Sequence, residues 1–425
     1  MRLIDLIISS VAGLTAVRDT RLVKLHEAPS ISLLLLPEFP DSLMPNASEN
    51  RQPFKSLSPA IHRASTIVFD TLEDFVGRKS RQPDGYSYGV TGTPTHRELE
   101  SRIAALEGAQ HCVVLPSGQA ALAASVLTFL RAGDHLLISD ASYGGLKAIA
   151  HNWMSKLCID VEVYPPAIGG EIEELIKPNT KMICLESPGT ITMETADIPA
   201  IAAAAKRHGV LTMIDNTWAS PLAFRPLEHG VDISVEAATK FFGGHSDLLM
   251  GSISVRDSVL YEQLREAQAT LGLAVSADDC FLVLRGMETF RLRFDAQSAN
   301  ALSVARWLSA HPLVEQVLLP ALESDPGHAI WKRDFAGSGC LFSVILKPAP
   351  ERAFTAFFDA LRVFSIGASW GGVRALIAYY PAALQKGRKF SPTDQPVVRI
   401  SIGLEDSLAM IEDLKNGLAE YAKFC

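Results

Sequence analysis

Lys240 stands in the stretch Ala237-Ala238-Thr239-Lys240-Phe241-Phe242-Gly243-Gly244-His245, just after the strand-like run Val231-Asp232-Ile233-Ser234-Val235. Upstream, a second apolar run, Val210-Leu211-Thr212-Met213-Ile214, ends on Asp215. A lysine and an aspartate, each just past an apolar strand, form the pair that pyridoxal phosphate chemistry requires. The amine holds the cofactor's aldehyde, and the carboxylate keeps its pyridinium nitrogen protonated.

Further residues fit the same chemistry. Ser117-Gly118-Gln119 opens a helix directly after a strand. Bare amides and the helix dipole favour a phosphate there, and Thr239 could add a hydroxyl. A plain helix cap reads equally well from sequence. Tyr143, in Asp140-Ala141-Ser142-Tyr143-Gly144, follows the next strand, where an aromatic ring either stacks on a pyridine or fills the core. Arg399, in Val397-Val398-Arg399-Ile400-Ser401, is placed to clamp an amino-acid carboxylate in bidentate fashion or to make a surface salt bridge.

These residues need a scaffold that brings strand ends together. From about residue 95 to 250 the sequence alternates helix and strand. Thr95-His96-Arg97-Glu98 has capping-box spacing before a helix, and His111–Leu115, His135–Ile138, Val161–Tyr164, Met182–Leu185 and the run into Asp215 read as strands. Such alternation implies an α/β fold with a mostly parallel sheet, in which ligands bind beyond the carboxyl ends of the strands. Ser117, Tyr143, Glu186, Asp215 and Lys240 all fall at or past such ends. After about residue 287 the texture changes to a smaller α+β domain, with a long helix over 290–308, helices near 352–361 and 406–421, and strands at 343–346 and 397–402.

The chain has 425 residues and a net charge of -8, which suits two domains and argues against nucleic acid as a partner. Its six cysteines show no metal-ligand spacing and read mostly as buried thiols in a reducing cytosol. No metal is expected. The apolar runs near the N-terminus are interrupted by charge and fall short of the ~20 residues that span a bilayer. A cytoplasmic protein is expected. Residues 1–56 read as an irregular extension or an over-long start, 57–91 as an arm, 92–286 as the large domain and 287–425 as the small one.

Longer stretches carry a resemblance. Tyr88-Gly89 with Gly92-Thr93-Pro94-Thr95-His96, Leu185-Glu186-Ser187-Pro188-Gly189, Ile214-Asp215-Asn216-Thr217-Trp218, Ala237–Lys240, Gly244–Asp247, Ser369-Trp370-Gly371-Gly372 and Ile402–Asp406 resemble the Cys/Met-metabolism (trans-sulfuration) family of fold type I pyridoxal phosphate enzymes. Within it, the bacterial cystathionine β-lyases are most alike. The resemblance implies Lys240 as cofactor lysine, Asp215 as pyridinium partner and Tyr143 as stacking ring. Gly118, Gln119 and Thr239 would hold the phosphate. Tyr88 would cross from a neighbouring subunit of a homotetramer towards the phosphate and the reacting amine. Arg399, Ser369 and Trp370 would bind substrate. The implied activity is carbon–sulfur β-elimination from cystathionine or a related cysteine thioether. The alternatives are a γ-acting trans-sulfuration enzyme, or a cofactor-binding protein with little catalysis. Three positions depart from the family pattern. Val90 stands where a phosphate-binding arginine is usual, with Arg78, Arg81 or Arg97 as candidate substitutes. Ala368 replaces a tyrosine and implies a roomier substrate pocket. Glu236 replaces a glutamine and is expected to add negative charge near the lysine.

Overall fold

Short runs rich in valine, isoleucine and leucine alternate with alanine-rich helices, and they form one seven-stranded sheet in the computed structural model, which describes residues 56–425. The strands are β1 (His111–Leu115), β2 (His135–Ser139), β3 (Asp160–Tyr164), β4 (Thr180–Glu186), β5 (Leu211–Asp215), β6 (Ile233–Glu236) and β7 (Gly251–Val255), in the order β1-β7-β6-β5-β4-β2-β3. Every pairing is parallel except the two made by β7. The exception has a direct cause. β6 and β7 are joined by the loop that carries Lys240, with no crossover helix, so the chain must return antiparallel.

Buried parallel strands must satisfy both faces, and alternate residues do so. Val113, Leu136, Met182 and Met213 enter the core on one face, beneath helix α2 (Gly118–Phe129). Val114, Leu137, Ile183 and Ile214 enter the core on the other, with helices α1 (Pro94–Glu107) and α3 (Ile198–Arg207). α1 begins two residues before the expected capping box. Thr93 is the N-cap, Pro94 takes the first helical position, and the Thr93 amide donates to His96 Nδ1 at 3.0 Å. α3 is capped by Asp197, whose Oδ1 accepts the Ala200 amide at 3.1 Å.

A second sheet follows, in the order β10-β11-β12-β9-β8, built from β8 (Val314–Leu318), β9 (Leu341–Leu346), β10 (Ser365–Ile366), β11 (Leu376–Tyr380) and β12 (Val397–Ser401). It is antiparallel apart from the β10–β11 pair. Helices α4 (Phe290–Ser309), α5 (Glu351–Ala360) and α6 (Ser407–Ala422) accompany it. The core containing the α1 face of the large sheet runs on into this second sheet, through Phe290 and Phe294 to Phe342, Phe354 and Tyr421. Strands β7, β8, β10 and β11 are not among those expected from the sequence.

The expectations for residues 1–55 lie outside the described residues. Among those described, no helix is long and apolar enough to cross a membrane, and no cluster of His, Cys, Asp or Glu could hold a metal. Cys112, Cys184, Cys280 and Cys340 are buried free thiols, while Cys158 and Cys425 are exposed.

Candidate active site

The carboxyl ends of β4, β5 and β6 lie in register, Glu186 beside Asp215 and Asp215 beside Val235. Above them opens a cavity of about 370 Å³. Its lining includes Gly118, Gln119, Tyr143, Asp215, Thr239, Lys240, Trp370 and Arg399. Residues spread over some 280 positions of sequence thus share one space. Tyr88 does not line it, and is 55% exposed at the start of a short turn.

Lys240 is held by its loop. Its amide donates to Ala237 O at 2.9 Å, and its carbonyl accepts the Gly244 amide at 2.7 Å. The side chain donates to Ser369 Oγ at 2.8 Å and lies 5.3 Å from the Trp370 ring centroid. Gly371 lets the Ser369-Trp370 segment close on the lysine. It has a φ of 80°, and a β-carbon there would lie 3.1 Å from Lys240 Cβ. Burial, reinforced by the Arg399 charge and partly offset by Asp215, pushes the amine down to about 8. At neutral pH roughly a tenth of it is then unprotonated, a few hundred-fold more than for a free lysine. Since only the neutral amine attacks an aldehyde, capture of pyridoxal phosphate by cofactor-free protein should speed up with pH, reach half its maximum near pH 8 and level off about one unit above. Stopped-flow absorbance would show this; a rise continuing to pH 10 would contradict it.

Asp215 accepts from the Thr217 amide at 3.1 Å and the Thr217 hydroxyl at 2.6 Å, both on Oδ1. Among the described residues, none donates a hydrogen bond to its Oδ2. Burial raises its proton affinity, so a cationic partner in the cavity would be needed to keep it ionised. Its neighbour Glu186 accepts the Tyr143 amide at 2.5 Å and the Thr190 hydroxyl at 2.6 Å. Burial and the adjacent Asp215 push Glu186 well above the usual carboxylate range.

At the start of α2 the Ser117 hydroxyl accepts the Ala120 amide at 3.0 Å. The Gly118 and Gln119 amides precede the first intrahelical bond and have no carbonyl one turn back. Gly118 sits so close to β6 that a β-carbon would lie 2.7 Å from Ala237 Cβ. Thr239 is less free than expected. Its hydroxyl donates to Met250 O at 3.1 Å and accepts the Met250 amide at 2.9 Å.

Arg399 is buried without a carboxylate partner among the described residues. It donates to Ala368 O at 2.7 Å and lies 5.2 Å from the Tyr380 ring. The candidates to replace the arginine absent at Val90 are engaged elsewhere. Arg97 binds Glu100 and Thr91 O, each at 2.7 Å; Arg78 binds Phe75 O; Arg81 binds Asp74 O.

Glu236 corrects an expectation. It is buried away from the cavity lining and accepts Asn216 Nδ2 at 3.1 Å. Burial, the facing Glu107 and Asp215 push it well above the usual carboxylate range, and Glu107 is itself raised by burial to about 7. Glu236 is therefore held towards its neutral form and adds little charge beneath the lysine.

One contributor was invisible in sequence. Arg388 donates to Asp140 Oδ2 at 3.2 Å, to Glu194 Oε1 at 2.7 Å and to the Thr192 hydroxyl. It ties the loop leading to Tyr143 to the loop that forms the cavity wall at Gly189–Met193. No local pattern marks a residue whose partners lie 194 to 248 positions away.

The residues fit pyridoxal phosphate: a low-pKa amine, an uncommitted carboxylate oxygen, unpaired first-turn amides and an aromatic ring share one cavity of suitable size.

Comparison with known proteins agrees. The family described as Cys/Met metabolism PLP-dependent enzyme matches residues 42–419. Cystathionine beta-lyase of Escherichia coli (strain K12) is 38% identical over 387 residues, 89% of this chain and 98% of that one. L-alanine/L-glutamate racemase of Wolbachia pipientis wMel is 36% identical over 392 residues, 89% of this chain and 96% of the other. The crystal structure of cystathionine gamma synthase from Xanthomonas oryzae pv. oryzae, in complex with aminoacrylate and cysteine, superposes with a TM-score of 0.80 at 30% identity, covering 87% of this chain and 94% of that one.

Proposed function

The chain belongs to the Cys/Met metabolism PLP-dependent enzymes, and from that premise we propose that it is a carbon–sulfur β-lyase. It would convert cystathionine or a related cysteine thioether, with one water, into a thiol, pyruvate and ammonia. The observation that carries the reading is the closure of Ser369 and Trp370 on the Lys240 amine, in a cavity also lined by Arg399, which has no carboxylate partner among the described residues. The 38% identity to a β-lyase over nearly its whole length supports it.

When bound, pyridoxal phosphate supplies an electron-accepting ring. Lys240 and Asp215 would hold it at aldehyde and ring nitrogen, Tyr143 at its face, and the Gly118 and Gln119 amides at its phosphate, where Thr239 would join them by turning its hydroxyl proton away from Met250 O. Arg399 binds the substrate α-carboxylate and so fixes which Cα bond faces the amine. Lys240 removes the Cα proton, a task suited to a group poised near 8. It or Tyr88 then protonates the departing sulfur. Tyr88 does so from a neighbouring subunit of a homotetramer, which accords with its exposure and its absence from its own chain's cavity.

Exchanging Arg399 for leucine should lower kcat/KM on the order of 10²-fold, mainly through KM, because a buried charge-assisted pair is lost. An unchanged KM would remove Arg399 from substrate binding. The reaction itself is tested on cystathionine: pyruvate supports the β-lyase, whereas 2-oxobutyrate alone would mean γ-chemistry. Racemisation of alanine without pyruvate from any thioether would assign the chain to proton transfer alone.

A further inference from the structure

β10 and β11 pair only through Ser365 and Ile366, with one further bond from the Gly367 amide to Ile377 O at 3.0 Å. Beyond that point the two segments separate, and the gap is a groove of about 530 Å³. Its lining includes Phe354 and Phe358 of α5, Ile366, Ala368, Tyr379 and Tyr380. Phe354 and Tyr379 pack at 4.9 Å between centroids, which gives the groove an aromatic wall. Ala368 lines both this groove and the Lys240 cavity. Tyr380 lines the groove while its ring lies against Arg399, and Arg399 bonds the Ala368 carbonyl. The groove therefore lies beside Arg399, and Ala368, whose side chain is a single methyl, is the residue common to both linings. The sulfur of a cysteine thioether is three bonds from the carboxylate that Arg399 would hold.

We propose that this groove receives the sulfur substituent of the substrate, and that the preferred substrates are cysteine thioethers with an apolar alkyl or aryl substituent. The proposal rests on the β-lyase reading above. Charge decides against cystathionine as the best fit. Its distal end carries a second carboxylate beside an ammonium group, and among the described residues Lys240 and Arg399 are the only cations lining the cavity and none lines the groove, so that carboxylate finds no partner. The charged residues that do line the groove are Glu351 and Asp359, which repel a carboxylate. An apolar tail instead buries its surface against phenylalanine and tyrosine.

The test uses the holoenzyme with S-benzyl-, S-methyl- and S-(2-aminoethyl)-L-cysteine and L-cystathionine. Pyruvate release gives kcat/KM, and the change in the cofactor's visible absorbance gives affinity without turnover. The benzyl thioether should exceed the methyl thioether and cystathionine by 10-fold or more in both measures. In A368Y the benzyl-to-methyl ratio should fall to about one, because the phenol closes the junction. A wild-type ratio near one, or preference for cystathionine, would overturn the proposal even if the variant fails to fold. So would an unchanged ratio in a folded A368Y. Preference for the aminoethyl thioether would assign the groove to a cationic tail and overturn it likewise. Absence of pyruvate from every substrate would defeat the β-lyase reading instead, and the absorbance titration would still decide whether the benzyl group is favoured.

Discussion

Exchange of Lys240 for alanine is expected to lower turnover by about 10⁴-fold or more, the upper range for loss of a general base, since the same residue is proposed to anchor the cofactor as well. Borohydride reduction of the wild-type holoenzyme should fix the cofactor to the peptide containing Lys240, and the variant should take no label. K240R separates charge from basicity. It keeps a cation beside Ser369 and Trp370, yet arginine has no accessible neutral form. Its activity should fall as far as that of the alanine variant. Small primary amines should restore part of the alanine variant's rate and none of the arginine variant's. The surroundings support this assignment, because burial and Arg399 together bring the Lys240 amine to about 8. Near-normal turnover of K240A, or a label on another lysine, would remove the residue from its assigned role.

The second large effect is expected at Asp215. D215N keeps the shape and the bond from the Thr217 hydroxyl but removes the charge that would pair with the ring nitrogen. An opposite charge in contact shifts a pKa by about 1–3 units, so the variant should lose between about 10-fold and 10³-fold in kcat. KM should change far less, because Asp215 lies at the sheet edge rather than beside Arg399. D215E should recover part of the loss if the bare carboxylate oxygen matters. A wild-type kcat in D215N would leave the carboxylate with a structural role only. Glu186 cannot stand in, because it is occupied by the Tyr143 amide and the Thr190 hydroxyl and is held towards its neutral form.

Much of this arrangement was legible in the sequence for a definite physical reason. Parallel strands announce themselves as short apolar runs, and their carboxyl ends share one edge, so Asp215, Tyr143 and Gly118 could be brought to Lys240 without coordinates. The reading failed where position depends on partners remote in sequence. Thr93 rather than Thr95 caps α1, because Pro94 accepts the first helical position and the His96 side chain turns back to the cap. Glu236 looked like an added charge, but only the packed structure shows buried Glu107 directly beside it. Arg388 lies in a stretch without any chemical motif.

The contacts of Arg388, Arg399 and Ser369 also impose an order in time. The large sheet, its lysine and its aspartate lie before Arg256, whereas the carboxylate clamp, the serine on Lys240 and the tie across the two cavity loops all come after Ala368. Domains generally fold as they leave the ribosome, N-terminal parts first. A nascent chain that has emerged only as far as β9 has the amine and the aspartate but none of these three later residues. Substrate selection thus becomes a property of the finished chain. An interrupted translation product would expose the reactive amine without the clamp that directs it.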